Sequence, residues 1–310
     1  AKAGDAAFAA DVDTAVRPSS PRDPESYEYW WSQPDENWRV ARFVVSRGAR
    51  RIGYATAEHP RWDVQPERYG TVGGNLLPAE RTQATLDAIL AWLERRLVAD
   101  GAKILSTRAN EDDPVRIQTL LARAYKEGRR SRRWELDLVV NREKLLATTE
   151  ESRARMTKEG IRIVTLAAVD DAKAVEKIWR LSEEAGADVP TTEPRVPDEM
   201  AAYTRWLEAP EIHRDRFWIA IVDDNIVGLS VLAYPPVRGV VSTEWTATAR
   251  SVRGRGVARA LKCETVAQAI ALGVDRVRTG NDAANDPILH INETMGYREI
   301  AGQVQFLKAV

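Results

Sequence analysis

Strand-like and helix-like spacings of apolar residues follow one another along the second half of the chain. Residues 161–166 alternate between apolar and polar side chains, whereas residues 171–184 and 197–207 carry apolar side chains at helical spacing. Two apolar runs, residues 217–222 and 227–232, flank a cluster of Asp and Asn and predict a hairpin. This order predicts a mixed sheet with helices on its faces.

The same alternation continues to the end of the chain. Residues 240–248 predict another strand, which a glycine-containing turn connects to a helix over residues 256–272. A short strand over residues 276–279, a helix over residues 285–295 and closing strands over residues 297–308 complete the pattern.

The first half repeats much of this order, which indicates an internal duplication. What it lacks is an opening strand before the helix predicted over residues 6–16. From the first hairpin onward, strands and helices are predicted over residues 40–46, 52–57, 69–77, 83–97, 103–107, 114–124 and 131–140.

We therefore predict an α/β fold (α+β, mixed sheet) of two tandem domains, each with a mixed, mostly antiparallel sheet flanked by helices. Residues 1–141 form the first domain and residues 161–310 the second. Residues 142–160 are charged and helix-prone without a strong apolar stripe, and we expect them to form a linker helix.

Composition narrows the classes of function. A formal net charge of -1 gives no overall field that would attract nucleic acid or an anionic membrane. The single cysteine, Cys263, and three histidines give little material for a metal site, and Cys263 itself is more typical of a small buried residue than of a nucleophile. No apolar run approaches the roughly 20 residues of a membrane span, and the polar start has no signal-peptide core. We expect a cytoplasmic protein without a metal.

The turn after residues 240–248 reads Arg253-Gly254-Arg255-Gly256-Val257-Ala258. Glycine lets the backbone approach a ligand, and the amides and dipole of the following helix favour a pyrophosphate. A simple tight turn is the alternative explanation. A dinucleotide-binding fingerprint is disfavoured because the spacing is not G-x-G-x-x-G, and an RNA-binding RGG segment because the motif occurs once within apolar structure.

At these residues the sequence resembles the GNAT acetyltransferase superfamily, whose signature Q/R-x-x-G-x-G/A is matched by Arg253, Gly256 and Ala258. The resemblance extends over residues 161–310. Downstream positions similar to those of an Asn-rich GNAT subgroup are Thr279, Asn281, Asn285, Asn292, Gly296 and Tyr297.

The resemblance implies acetyl-CoA as co-substrate. Its pantetheine arm would lie along the strand that ends at Thr248, its pyrophosphate at the glycine turn, and Asn285 would contact the arm unless it serves only as a helix cap. The residues implied to bind acetyl-CoA are Trp245, Thr246, Ala247, Thr248, Arg253, Gly254, Arg255, Gly256, Val257, Ala258, Asn281 and Asn285.

The resemblance also implies that a neutral amine attacks the thioester directly. Glu244 is the best candidate for the base, acting through a water, since strand alternation places it with Ser242 and Thr246; a solvent-facing carboxylate is the alternative. Thr243 or Thr246 would fix that water. Asn292 stands where many GNAT enzymes have a Tyr acid, and an amide does not release a proton at neutral pH.

The corresponding turn of the first half, residues 81–86, has lost both glycines. Thr82 and Ala84 add side chains where backbone would meet phosphate. We interpret this half as a degenerate repeat retained for packing or for shaping the substrate cleft.

Two further features bear on the substrate. The aromatic residues at 27–31, with Trp38 and Trp62, are typical of core packing, although some would suit an apolar substrate wall. The acidic run at residues 183–188 would suit a cationic amine or be merely solvated.

These observations favour an N-acetyltransferase acting on a small-molecule amine, as a monomer or homodimer, with no nucleic-acid or membrane partner. Two alternatives stay open: a non-catalytic acyl-CoA-binding or scaffold protein, which Asn292 would suit, and a protein or peptide N-acetyltransferase.

Overall fold

The computed structural model describes residues 1–33 and 36–310, which form both helices and strands. Helix α5 (Arg142–Lys158) joins two halves. The first half contains α1 (Ala6–Val16), α2 (Pro24–Ser32), β1 (Trp38–Arg47), β2 (Arg50–Pro60), β3 (Tyr69–Leu76), α3 (Gln83–Ala99), β4 (Ile104–Asn110), α4 (Pro114–Ala122) and β5 (Lys126–Asp137). The second contains β6 (Arg162–Thr165), α6 (Ala174–Gly186), α7 (Met200–Leu207), β7 (Phe217–Val222), β8 (Asn225–Ala233), β9 (Ser242–Thr248), α8 (Val257–Ala271), β10 (Arg276–Asp282), α9 (Asp286–Met295) and β11 (Arg298–Ala309).

All eleven of these strands form one mixed sheet, in the order β1-β2-β3-β4-β11-β5-β10-β9-β8-β7-β6. The predicted fold class, a mixed and mostly antiparallel sheet flanked by helices, is confirmed. The arrangement of the last strand was not predicted. Instead of several closing strands there is one, β11, and it lies between β4 and β5 of the first half. Strand β5 in turn lies against β10 of the second half.

Through this exchange of strands, in which β11 pairs within the first half and β5 pairs with the second, two apolar cores contain residues of both halves. Val304 and Phe306 of β11 are buried in the core of the first half, against residues of β2, β3, α3 and β4. Trp134 and Leu136 of β5 are buried in a core with residues of α8, α9 and β10. The division of the chain near residues 141 and 161 stays a prediction, because each half completes the other's core.

Helix α5 covers the outer face of α8, which is therefore buried on nearly all sides. Arg153 of α5 forms an ion pair with the buried Glu264 of α8, at 2.6 Å, and Thr149 Oγ1 donates to the carbonyl of Cys263 at 3.3 Å. Cys263 is a free, buried cysteine, as predicted.

The sheet opens at one parallel pair in each half. Strands β9 and β10 pair only at Ser242 and Arg278, while β3 and β4 pair only from Tyr69 to Thr71. Beyond those points the strands of each pair diverge. The two halves therefore each contain a cleft at the same place in their topology.

Phe306→Ala tests the strand exchange. Phe306 is completely buried in the first half although it belongs to the last strand. We expect the free energy of unfolding to fall by about 3–5 kcal/mol. We also expect one cooperative transition to shift for both halves, measured in urea by circular dichroism and tryptophan fluorescence. Val139→Ala, at an exposed position, is the control. Two separate transitions, only one of them shifted, would contradict this coupling.

Candidate active site

The cleft between β9 and β10 leaves one edge of β9 without a strand partner. From Thr243 onward β9 pairs only with β8 in the part of the chain that the structure describes. Thr279 Oγ1 donates to the carbonyl of Thr243 at 3.1 Å and closes the narrow end of the cleft. The segment from Trp245 to Thr248, predicted to bind an extended arm, therefore presents unpaired backbone groups to the cleft. Such an edge can accept an added strand-like ligand.

The turn that follows β9 has the conformation of an anion site. Gly254 and Gly256 have φ angles of +77° and +82°, a backbone conformation that residues with a side chain rarely adopt. The space beside Gly254, where a Cβ would lie, is open. Gly256 precedes α8 as its N-cap residue. Among the described residues, the N–H groups of Gly254, Gly256, Val257 and Ala258 have no backbone or side-chain acceptor. These four donors at a helix N-terminus fit a phosphate group.

The arginines of this turn are held by acidic residues. Arg253 forms an ion pair with Asp188 at 2.7 Å, and Arg255 pairs with Glu159 at 3.0 Å. Arg250, just before the motif, also pairs with Asp188, and hydrogen bonds from Arg250 and Arg253 lower the pKa of Asp188 to about 2. Of the acidic run, Asp188 therefore contacts the arginines at the glycine turn, whereas Glu183 pairs with Arg195.

Two asparagines of the second half are joined beside the cleft. Asn292 Nδ2 donates to Asn281 Oδ1 at 2.7 Å, and Asn292 is completely buried. The Oδ1 of Asn292 has no partner among the described residues. Asn285 is the N-cap residue of α9, but its side chain makes no capping hydrogen bond. The capping role weighed for Asn285 is therefore not realised, and its binding role stays a prediction.

The predicted alternation along β9 is wrong at Glu244. Trp245 pairs with Val231 and Thr243 with Leu232, so Glu244 is an extra residue in a β-bulge. The bulge puts Ser242 and Thr246 on opposite faces of the sheet. Thr246 contacts Ser230, at 2.9 Å between hydroxyl oxygens, and is turned away from Glu244.

Glu244 faces a cavity of about 840 Å³ between the two halves. Ser242 Oγ donates to Glu244 Oε2 at 3.2 Å. Although solvent in the cavity reaches Glu244, the surrounding protein partly desolvates its carboxylate, and this burial together with nearby Glu211 raises its pKa. Glu211 accepts from Ser26 Oγ at 2.7 Å and from Trp30 Nε1 at 3.1 Å.

The aromatic residues near the start of the chain are divided between the cavity and local packing. Tyr27 and Trp30 of α2 line the 840 Å³ cavity. Trp62 stacks on His59 at 4.0 Å between ring centroids, and Trp31 contacts the Tyr54 ring. Only part of this aromatic cluster is thus placed to meet a substrate.

Lys262 is a buried group that the sequence analysis missed. Only 1% of its surface is exposed, and burial lowers its pKa to about 7. Its Nζ lies 5.0 Å from the centroid of the Tyr297 ring, next to the strand and helix that carry Asn281 and Asn292. The signal available in the sequence was the position of this lysine between Leu261 and Cys263 in a predicted helix rich in apolar residues.

The turn of the first half does not form an anion site. Thr82 caps α3 by accepting from the N–H of Thr85 at 3.2 Å. Just before it, the buried carboxylate of Glu80 pairs with Arg47 at 2.9 Å and with Arg50. The cap satisfies one donor of this helix start, and the neighbouring carboxylate of Glu80 disfavours an anion there.

The cleft of the first half is bridged by an arginine. Arg116 of α4 is buried and donates at 3.0 Å to the carbonyl of Gly74 on β3 and to the carbonyl of Arg108 on β4. Its third bond, also 3.0 Å, is to Thr107 Oγ1. In the first half, a side chain thus satisfies backbone groups of the cleft strands. The corresponding backbone groups of the second half face an open cleft.

Comparison with known proteins agrees with this difference between the halves. Residues 177–297 match the family model described as "Acetyltransferase (GNAT) family". The second half carries a GNAT domain. No curated protein is significantly similar to the chain in sequence.

Solved structures extend the fold similarity to both halves. A tandem GNAT protein from the clavulanic acid biosynthesis pathway is 15% identical, with a TM-score of 0.74 over 99% of this chain and 95% of that one. A GCN5-related N-acetyltransferase from Sphaerobacter thermophilus is 18% identical, with a TM-score of 0.66 over 100% and 94%. At these identities the likeness shows the fold alone, which is that of a tandem GNAT protein.

Two further features are absent from residues 1–33 and 36–310. No group of three or more His, Cys, Asp or Glu side chains is arranged to hold a metal ion. No helix there is both long and apolar enough to cross a membrane.

Lys262→Met tests the buried lysine by the pH dependence of stability. The pKa of about 7 in the folded protein lies below the value of about 10.4 in the unfolded chain, so the unfolded chain binds more protons between these values. Stability of the wild type therefore rises with pH in this window. The advantage of Lys262→Met should be largest at pH 7 and below, and should shrink by about 1.4 kcal/mol per pH unit above it.

Urea unfolding from pH 6 to pH 9 measures this difference. Lys158→Met, which removes an exposed lysine from α5, is the control. A difference between Lys262→Met and wild type that does not change with pH would show that the lysine is charged in the folded protein.

Proposed function

We propose that the protein transfers an acetyl group from acetyl-CoA to the amine of a small molecule. The observation that carries the proposal is the open glycine turn at the start of α8, with its free N–H groups, beside the unpaired edge of β9. Acetyl-CoA supplies an activated acetyl thioester. The GNAT domain supports an acyltransferase; the small-molecule acceptor is inferred from the open-mouthed cavity in front of Glu244.

The residues present fit this co-substrate. The N–H groups of Gly254, Gly256, Val257 and Ala258 would hold the pyrophosphate, and Arg253 and Arg255 would add positive charge on leaving their carboxylate partners. Backbone groups of Trp245, Thr246, Ala247 and Thr248 would bind the arm, as would the side chain of Asn285. The Asn281 side chain contributes by fixing Asn292.

In this proposal Glu244 acts as the base. An ammonium group in the cavity must lose a proton before its nitrogen has a lone pair for attack. The bulge turns Glu244 into the cavity, and its raised pKa makes the carboxylate a better proton acceptor than an ordinary glutamate. With Thr246 on the opposite face, Ser242 is the neighbour that orients the carboxylate.

A non-catalytic acyl-CoA-binding protein is the second candidate, and Asn292 is the observation that favours it. The buried Asn292–Asn281 pair holds amides where a proton donor would otherwise stand, and amides do not release protons at neutral pH. Release of free CoA thiol during incubation with amines decides between the two candidates. No thiol release with any amine, together with tight acetyl-CoA binding, would support the second.

Gly254→Glu tests the phosphate cradle. The substitution puts a negative side chain into the open space beside the turn, so acetyl-CoA affinity should fall by well over tenfold, roughly 1.4 kcal/mol or more. Calorimetry on the wild type should give one site per chain, because the first half has no such turn. Gly48→Glu is a matched control, since Gly48 also has positive φ, at +59°, and open space around it. Two sites per chain, or full affinity in Gly254→Glu, would contradict the assignment.

Glu244→Gln tests the base. We expect kcat to fall by roughly 10²-fold or more with acetyl-CoA affinity near normal, because proton removal belongs to the transition state. In the wild type the rate should rise with pH as Glu244 and the amine deprotonate. The part of this rise that is due to Glu244 should be absent from the pH profile of the variant. Glu211→Gln removes a second cavity carboxylate and should cost less in kcat. The opposite ranking would identify Glu211 as the base.

A further inference from the structure

The wall of the cavity in front of Glu244 has two carboxylates that form no ion pair, although the more distant charge of Arg22 partly offsets the rise in the pKa of Glu244. Glu244 accepts only from Ser242, and Glu211 only from Ser26 and Trp30, so no cation within the described residues pairs with either carboxylate. An ammonium group between them would be stabilised by both.

Another part of the cavity wall, which the first half supplies, has arginines that form no ion pair. Arg133 of β5 is half-buried, and its guanidinium donates to the neutral Asn110 Oδ1 at 3.1 Å. It has no carboxylate partner in the part of the chain described here. Burial, followed by the positive charges of Arg17, Arg22 and Arg278, lowers the pKa of Arg133 to about 10, and the charge of Asp112 only partly opposes this shift.

The arginines around Arg133 differ in their partners. Arg17 pairs with Asp112, and Arg278 pairs with Glu135 at 2.7 Å, so these two charges are balanced. Arg22 and Arg108, which also line the cavity, form no ion pair among residues 1–33 and 36–310, and the buried Arg17 Nη1 has no acceptor there.

A half-buried guanidinium without a counter-ion, crowded by other guanidinium groups, is unfavourable unless a ligand supplies an anion. The phosphates of acetyl-CoA are not that anion, because their site at the start of α8 does not line this cavity. A carboxylate or phosphate on the acceptor itself would match the planar donors of Arg133.

We propose that the acceptor is a zwitterion whose amine lies at Glu244 and Glu211 and whose anionic group, a carboxylate or phosphate, is bound by Arg133 and Arg22. This inference rests on the proposed acetyl transfer for the role of the amine. It assigns the first half a specificity role, since Arg133 and Arg22 both belong to it.

A panel of acceptors tests the inference in the whole protein with acetyl-CoA. It contains ω-amino acids from glycine to 6-aminohexanoate, the monoamines of matching length without the carboxylate, and aminoalkyl phosphates such as phosphoethanolamine. We expect kcat/KM of the best acid to exceed that of its matching monoamine by at least about tenfold, the loss typical of an unpaired charged contact. The relative rates of carboxylates and phosphates distinguish the two anion classes.

Arg133→Gln is the decisive variant, with Arg132→Gln as its matched control on the same strand. Arg132 is the next residue, so strand alternation points it to the opposite face, where it lies near Glu299. The preference for acids should disappear in Arg133→Gln through a higher KM, persist in Arg132→Gln, and return in part in Arg133→Lys. Equal use of acids and monoamines by the wild type, or a preference that survives in Arg133→Gln, would overturn the proposal.

Thermal shift with the same panel separates this inference from the proposed function. Acids should raise the melting temperature of the wild type but not of Arg133→Gln, whether or not any compound is acetylated. Such a shift without thiol release would support the anion site and refute acetyl transfer. Thiol release without discrimination between acids and monoamines would support acetyl transfer and refute the anion site. Arg22→Gln provides a second test if Arg133→Gln does not fold.

Discussion

Strand β5 has hydrogen bonds on both edges, to β11 on one side and to β10 on the other, and the remaining structure depends on this position. Because β5 comes from the first half and both of its neighbours come from the second, neither half has a complete sheet alone. The continuous ladder fixes the angle and distance between the two clefts. It also sets the width of the cavity that lies across the junction, since residues of β5, β9 and β10 all line it.

The two clefts show how the same topology supports opposite outcomes. In the second half the opening beside β9 leaves backbone groups unpaired, and the turn after it leaves helix donors free. In the first half Arg116 bonds to both strands, and Thr82 and Glu80 occupy the turn. In the first half, polar side chains thus satisfy part of the backbone groups that are free in the second half.

Local signals explain which features the sequence could predict. The glycine turn was predictable because Gly254 and Gly256 act through their own backbone conformation, and most helices and strands follow from spacing. The bulge at Glu244 was not, because one extra residue in a strand leaves no mark on local alternation. Helix α2 was also missed, since its aromatic residues obscure the helical period. The place of β11 depends on pairing between residues about 200 positions apart, such as Ile104 and Ala309, which no local pattern records.

The position of β11 has a consequence for synthesis of the chain. The strand that completes the core of the first half is the last structured segment of these residues to leave the ribosome. At a synthesis rate of about 5–20 residues per second, β11 is made roughly 10–30 s after β5. During that interval the edges of β4 and β5 are unpaired and their apolar faces incomplete. This nascent stage, rather than the finished protein, is where aggregation or chaperone binding would act on the chain.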